Sequence, residues 1–214
     1  MNKEAKLTVK FWGVRGSIPC PGLAYQRYGG NTPCVEITCG DKTLIFDAGT
    51  GLRALGQELI KKGKIEADIF FSHAHLDHII GFPFFAPAFN PKNNFKIWSG
   101  VFDQQIPIKE VFQKLTSPPM FPVSLEVFNA NLDFLTFKPG DKIELDEGIS
   151  LSTVALNSNL AFGVDKPPAC EKKFTSLVTC PEAPELPVDT TANSLPVSTL
   201  EPAGSVTPAA DTDN

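Results

Sequence analysis

The sequence has few histidines and no CxxC motif. Only three of its 214 residues are histidine. The five cysteines are odd in number and none is spaced as CxxC, which argues against a disulfide framework and against a zinc ribbon. We therefore expect the cysteines to be mostly reduced.

Long apolar runs and a basic stripe are also missing. The longest apolar run, IIGFPFFAPAF, is short and interrupted by proline, and the N-terminal segment MNKEAKLTVKFW has no apolar core of the signal-peptide kind. We expect a cytoplasmic protein with no membrane partner. Residues 1–157 hold 16 Lys or Arg and 16 Asp or Glu, so their balance gives no sign of general nucleic-acid binding.

Residues 1–157 carry the patterns of an α+β domain. Short runs with high β-propensity alternate with apolar residues at helical spacing. The helix GLRALGQELIKKG has leucines on one face and ends at glycine. The sequence predicts strands at 6–12, 34–39, 43–48, 68–72 and 95–100, helices at 51–63 and 107–115, and successive short strands over 132–156.

Residues 158–214 have a different composition. This segment of 57 residues contains 8 prolines and carries 3 Lys against 8 acidic residues, which accounts for the whole net charge of −5. Such a composition buries too little apolar surface to offset its ordering entropy. We predict a second region here, an acidic Pro/Thr/Ser-rich tail that is largely disordered.

All three histidines lie in the segment SHAHLDH, residues 72–78, directly after a predicted buried strand. His73 and His75, two residues apart, can point to the same side and share one cation. Asp77 and His78 can bind a neighbouring cation, and Asp77 could in addition be a helix N-cap. Two such cations can share a hydroxide for hydrolysis. Imidazole with carboxylate favours Zn²⁺, with Mn²⁺, Fe²⁺ or Co²⁺ as substitutes.

The segments HAHLDH and FDAGTG resemble the metallo-β-lactamase superfamily, whose fold is an αββα sandwich. The segments FWGVRGSIPCPG, RYGGNTPCVEI and FPFFAPAF are similar to its branch of ribonuclease Z-like and cyclic-phosphodiesterase-like enzymes. The likeness covers about residues 7–157. It implies a metal-dependent hydrolase, of phosphodiesterase type, that acts through a metal-bound hydroxide.

The resemblance also assigns roles to individual residues. It implies that His73 and His75 bind the first metal and that Asp77 and His78 bind the second. Asp77 and Asp47 would be the catalytic carboxylates, with Asp47 orienting the ligand loop. The alternative for Asp47 is an ordinary polar residue at the start of the DAGTG turn.

Three polar residues of the long Gly/Pro-rich loop are candidates for substrate binding. Arg15, Arg27 and Asn31 could reach the phosphate of a small-molecule or nucleotide phosphodiester. The alternative is that these residues pack the loop or lie on the surface.

Part of the superfamily's ligand set is missing from this chain. The family usually continues with Asn-His-Pro after the strand that matches ISLSTVALN, whereas Asn157 is followed by serine and no histidine occurs beyond His78. The resemblance therefore implies an incomplete αββα sandwich. It could be a shortened form of a longer hydrolase, a homo-oligomer, or a domain completed by a partner chain.

Two other functions are compatible with the sequence. The chain could be a non-catalytic homologue with a vestigial metal site that acts by binding or has no independent function. The segment GTGLRA, residues 49–54, also matches the dinucleotide fingerprint GxGxxA. That fingerprint needs an acidic residue at the end of the next strand, where this chain has Ser72 and His73 instead.

Overall fold

A computed structural model of the chain describes residues 7–100, 106–146, 148–157 and 172–179. Its largest element is a sheet of six strands in the order β1-β2-β3-β4-β5-β6. These strands are Leu7–Gly13, Cys34–Cys39, Lys42–Phe46, Glu66–Phe71, Asn94–Gly100 and Asn131–Phe137. The predicted strands and the hairpin of β2 and β3 are thus confirmed.

The sheet changes from antiparallel to parallel pairing at β3. Strands β1, β2 and β3 pair antiparallel, whereas β3, β4, β5 and β6 pair parallel. Parallel strands end at the same edge of a sheet, which is where open α/β sheets bind ligands. The residues that follow β3 and β4 therefore meet at one edge.

Helices cover one face of this sheet. Helix α1, Gly51–Ile60, buries Leu52, Leu55 and Leu59 as its periodicity predicts. Helix α2 is the short segment Leu76–Ile79. Helix α3, Ile108–Leu115, buries Phe112, and the centroid of the Phe112 ring lies 4.3 Å from that of Phe82. Alternate residues of the strands complete the main apolar core on this face.

The other face packs against a second sheet of three antiparallel strands. These are β7 (Lys142–Asp146), β8 (Ile149–Asn157) and β9 (Lys172–Thr179). Leu44, Phe70 and Leu151 form the core between the two sheets. The described residues thus supply three layers of the predicted αββα sandwich: helices, the six-stranded sheet and the three-stranded sheet.

Two features differ from the sequence prediction. Strand β9 lies inside the segment that composition assigned to the tail, and it pairs with β8 along its whole length. The other residues of 158–214 lie outside the described part of the chain. Cys39 is disulfide-bonded, which is an exception to the expectation that the cysteines are mostly reduced, and Cys20 and Cys34 are free thiols. No described helix is long and apolar enough to cross a membrane.

Candidate metal centre

The site begins where β3 and β4 end side by side. Asp47 follows β3, and its backbone N–H donates to the Phe70 carbonyl of β4 at 2.8 Å. Its backbone has a φ of 61°, a conformation that aspartate and asparagine tolerate better than most residues. The Asp47 carboxylate therefore turns toward the loop that leaves β4.

The carboxylate of Asp47 holds this loop through Ser72 and His78. It accepts hydrogen bonds from the backbone N–H of Ser72 at 2.8 Å and from the Ser72 hydroxyl at 2.8 and 2.9 Å. Its Oδ2 also lies 2.8 Å from Nδ1 of His78. A carboxylate only accepts hydrogen bonds, so this network assigns the proton to Nδ1 and leaves the lone pair of neutral His78 on Nε2.

The three histidine rings lie together beside this network. The centroid of the His73 ring is 4.0 Å from that of His78 and 4.5 Å from that of His75. Nδ1 of His73 lies 3.0 Å from the Ser72 hydroxyl. His73 is buried and His75 is exposed, so the cluster extends from the edge of the core to the surface.

Asp77 lies next to His78 and is oriented by the long loop. Its Oδ2 accepts a hydrogen bond from the backbone N–H of Ser17 at 2.8 Å and lies 3.6 Å from Nε2 of His78. Helix α2, Leu76–Ile79, has its N-cap at His75, so the additional role of Asp77 as an N-cap is wrong.

Close backbone contacts hold the ligand loop against the turn after β3. The Ala48 N–H donates to the His78 carbonyl at 2.7 Å, and the Gly81 N–H donates to the Ala48 carbonyl at 2.8 Å. A Cβ on Gly81 would overlap the Gly49 carbonyl, and one on Gly49 would overlap the Asp77 carbonyl. Glycine is therefore required at both positions by close approach of two backbones.

The same contacts argue against a dinucleotide at GTGLRA. The N–H groups of Gly49, Thr50 and Gly51 donate to Pro33 or Thr32 at 2.8, 2.7 and 3.4 Å. A dinucleotide pyrophosphate needs such groups at the start of the helix. Here they are already paired within the protein.

The donor atoms fit a divalent cation between Asp77 and His78. Two donors that each lie about 2.1 Å from a tetrahedral zinc are separated by roughly 3.4 Å. The separation of 3.6 Å between Oδ2 of Asp77 and Nε2 of His78 is close to that value and too long for a hydrogen bond. In the part of the chain that the structure describes, no group of three or more His, Cys, Asp or Glu side chains could hold a metal ion.

The three loop residues predicted for substrate binding have different surroundings. Arg15 is half-buried, with its guanidinium 4.7 Å from the ring centroid of Tyr25. Arg27 is exposed and lies 5.0 Å from the ring of Tyr28. Asn31 accepts a hydrogen bond from the Thr50 hydroxyl at 3.2 Å, which favours its alternative role in packing the loop.

Two residues of the site were not identified from the sequence. Ser72 connects Asp47 to two histidines, and its position as the first residue of the motif after β4 was the available signal. Ser17 contributes a backbone N–H, which every residue except proline has, so no side-chain pattern could identify it. Burial, with the charges of Asp47 and Glu36, raises the pKa of the Cys34 thiol and so disfavours its thiolate.

Part of the sequence matches a known protein family. The model of the metallo-beta-lactamase superfamily matches residues 27–93, which include Asp47 and the four predicted metal ligands. No curated protein matches the sequence. The matched segment is thus similar to the metallo-β-lactamase superfamily, and the chain has the metallo-β-lactamase fold.

Solved structures of the same fold are only distantly similar in sequence. The metallo-β-lactamase fold protein YhfI from Bacillus subtilis is 17% identical over 82% of this chain and 58% of its own, with a TM-score of 0.54. A diphosphatase from the PhnP family is 15% identical over 81% and 62% of the two chains, with a TM-score of 0.52. Human tRNase Z, short form, is 15% identical over 81% and 65%, with a TM-score of 0.51. The chain thus spans about three fifths of the length of these proteins.

Proposed function

We propose that the chain is a metal-dependent hydrolase that cleaves phosphodiester bonds. The observation that carries this proposal is the paired geometry of Asp77 and His78, whose donor atoms are 3.6 Å apart while Asp47 holds the far nitrogen of the histidine ring. A carboxylate that orients a metal-binding histidine in this way is typical of metal sites.

The residues of the chain have separate roles in this proposal. Asp77 and His78 hold one cation, and His73 and His75 hold the second. Asp47 keeps the proton of His78 on Nδ1, so that Nε2 is available as a donor. Bound cations of this kind lower the pKa of water and polarise a phosphoryl oxygen.

Zinc is the metal that this donor set favours, because imidazole nitrogen and carboxylate oxygen are its usual ligands in proteins. Mn²⁺, Fe²⁺ and Co²⁺ accept the same donors and are the proposed substitutes. Water or a donor from outside the described residues would complete each coordination shell.

The surroundings of the site favour a phosphate ester as the substrate. Arg15 is two residues from Ser17, whose backbone N–H contacts Asp77 at 2.8 Å, so a guanidinium lies in the loop that touches the centre. Guanidinium groups match the geometry of phosphate oxygens. Two proteins of similar fold are named as a diphosphatase and a tRNase Z, which supports phosphate ester chemistry.

A second candidate function is a homologue that binds ligands without catalysis. It is favoured by one observation: the described residues hold no group of three donors for a single ion. Stable zinc sites generally use three or four protein ligands. Such a protein would bind metal weakly and would turn over no phosphodiester.

Metal analysis and an activity assay distinguish these two functions. We expect purified protein to bind about two zinc ions per chain and to hydrolyse bis-p-nitrophenyl phosphate. The variants His75→Ala and Asp77→Asn should lose metal and activity. Asp133→Asn is the matched control, because it changes an exposed carboxylate on β6 in the same way. Equal metal content in wild type and His75→Ala would refute the ligand assignment, and metal binding without hydrolysis would favour the second function.

A further inference from the structure

Cys39, the last residue of β2, is disulfide-bonded, and the proposed hydrolytic chemistry makes no use of this bond. The chain has five cysteines, and two of them, Cys20 and Cys34, are free thiols. Within one chain the bond of Cys39 therefore leads either to Cys170 or to Cys180. Both of these cysteines lie outside the described residues.

The surroundings of Cys39 show which part of the second sheet it meets. Cys39 is buried, with 1% of its surface exposed, and it packs in one apolar cluster with Ile149, the first residue of β8. Leu7 of β1 and Leu145 of β7 pack against the same cluster. Cys39 therefore lies between the two sheets, beside the point where β8 begins.

The pairing of β8 with β9 brings the end of β9 to the same place. The two strands are antiparallel, and Ser150 lies opposite Thr179, the last residue of β9. Continued by one residue, this register puts Cys180 opposite Ile149. Residues directly opposite in an antiparallel pair have Cβ atoms about 5 Å apart on one face of the sheet. Because Ile149 packs against Cys39, Cys180 comes within reach of Cys39.

Cys170 belongs to the wrong end of β9 for this bond. It comes just before Lys172, which pairs with Asn157 at the far end of β8. With a rise of about 3.3 Å per residue, Asn157 lies about 26 Å from Ile149 along β8. Two residues of chain recover at most about 7 Å of that distance. A disulfide needs Cα atoms within about 7 Å of each other, so Cys170 does not reach Cys39 while β9 is paired.

We propose that Cys39 is joined to Cys180, so that a redox-sensitive bond fastens β9 to the first sheet. Its formation takes two electrons and two protons from the two thiols. A low-molecular-weight disulfide such as glutathione disulfide accepts them and becomes two thiols. The reverse exchange reduces the bond and leaves β9 without a covalent link to β2.

Strand β9 is the element that this bond affects most. In the described part of the second sheet, β9 is an edge strand that pairs with β8 on one side. The bond closes residues 39–180 into one loop, and in the chain-entropy account a disulfide that closes a long loop restricts the open state strongly. We therefore expect β9 to open more often when the bond is reduced.

Peptide mapping of the wild-type protein tests the pairing directly. The protein is equilibrated with glutathione disulfide, free thiols are blocked with N-ethylmaleimide, and the unreduced tryptic digest is analysed by mass spectrometry. Trypsin separates the two candidate cysteines, because Lys172 and Lys173 lie between them. We expect a linked pair of peptides that contains Cys39 and Cys180, with Cys170 alkylated. A link from Cys39 to Cys170, a disulfide-linked dimer on a non-reducing gel, or alkylated Cys39 would overturn the proposal.

Hydrogen exchange of the full chain tests whether the bond fastens β9. Amide exchange within residues 172–179 should be at least about tenfold faster in dithiothreitol-reduced protein than in oxidised protein. Under oxidising conditions Cys180→Ser should show the fast exchange, whereas the matched control Cys170→Ser should keep the slow exchange. The comparison of oxidised with reduced wild type needs no variant, and equal exchange in these two states would refute the fastening of β9. Equal acceleration in Cys170→Ser and Cys180→Ser would contradict the pairing.

Discussion

Replacing Asp47 with asparagine tests whether its carboxylate orients the metal ligands or only shapes a turn. Asparagine has the same size and also tolerates the observed φ of 61°, so the backbone should be preserved. The carboxylate accepts hydrogen bonds from the N–H and hydroxyl of Ser72 and lies 2.8 Å from Nδ1 of His78. An amide has only one acceptor oxygen and cannot accept all three.

The size of the effect follows from these contacts. Loss of a partner that orients a metal ligand typically weakens metal binding about 10- to 100-fold. Loss of a hydrogen bond to a charged group costs about 1.5–3 kcal/mol of the free energy of unfolding. Alanine at position 47 should cost a further 1–2 kcal/mol or so, because it does not tolerate a left-handed backbone as well as aspartate does.

Two measurements separate the roles of charge and shape in the Asp47 variants. Zinc affinity is measured by competition with a chromophoric chelator, and stability by urea unfolding of metal-free protein. We expect Asp47→Asn and Asp47→Ala to lose similar zinc affinity, with Asp47→Ala less stable. If Asp47→Asn binds zinc as tightly as wild type, the carboxylate is only a turn residue and the orienting role is wrong.

Two further predictions concern packing and thiol chemistry. Gly81→Ala should lower the free energy of unfolding by about 3 kcal/mol, because the added Cβ would overlap the Gly49 carbonyl. The control Gly16→Ala should change the free energy of unfolding by no more than about 0.5 kcal/mol, because a Cβ at Gly16 meets open space. Urea unfolding measures both variants. Under native conditions iodoacetamide should modify Cys20, which is partly exposed, and spare Cys34, whose thiol pKa is raised by burial. Peptide mass spectrometry measures the modification, and equal rates at the two thiols would contradict the buried position of Cys34.

Several features of the fold and site could be predicted because their signals are local. The four predicted ligands fall within six consecutive residues, so their spacing is visible in the sequence alone. The leucines of α1 recur at helical intervals, and the hairpin of β2 and β3 has strong strand formers on both sides of a turn signal. Asp47 was identified only through the family resemblance, and its partner Ser72 was not identified.

Strand β9 shows where composition misleads. Its residues KKFTSLVT lie in a polar segment, yet they pair with β8 along the whole strand. Hydrogen bonds to a neighbouring strand use the backbone, which is the same for every residue except proline. The average composition of this 57-residue segment therefore could not reveal a strand of eight residues within it.

The sequence by itself determined the kind of donors and their spacing, because a strand followed by a short turn brings nearby residues together whatever the rest of the chain does. Only the tertiary structure decided which nitrogen of His78 is a donor to Asp47, 31 residues away, and which backbone N–H holds Asp77, 60 residues away. These contacts depend on the parallel pairing of β3 with β4 and on the path of the long loop. Contacts between distant residues leave no periodic signal in the sequence. They can therefore be identified only in the folded structure.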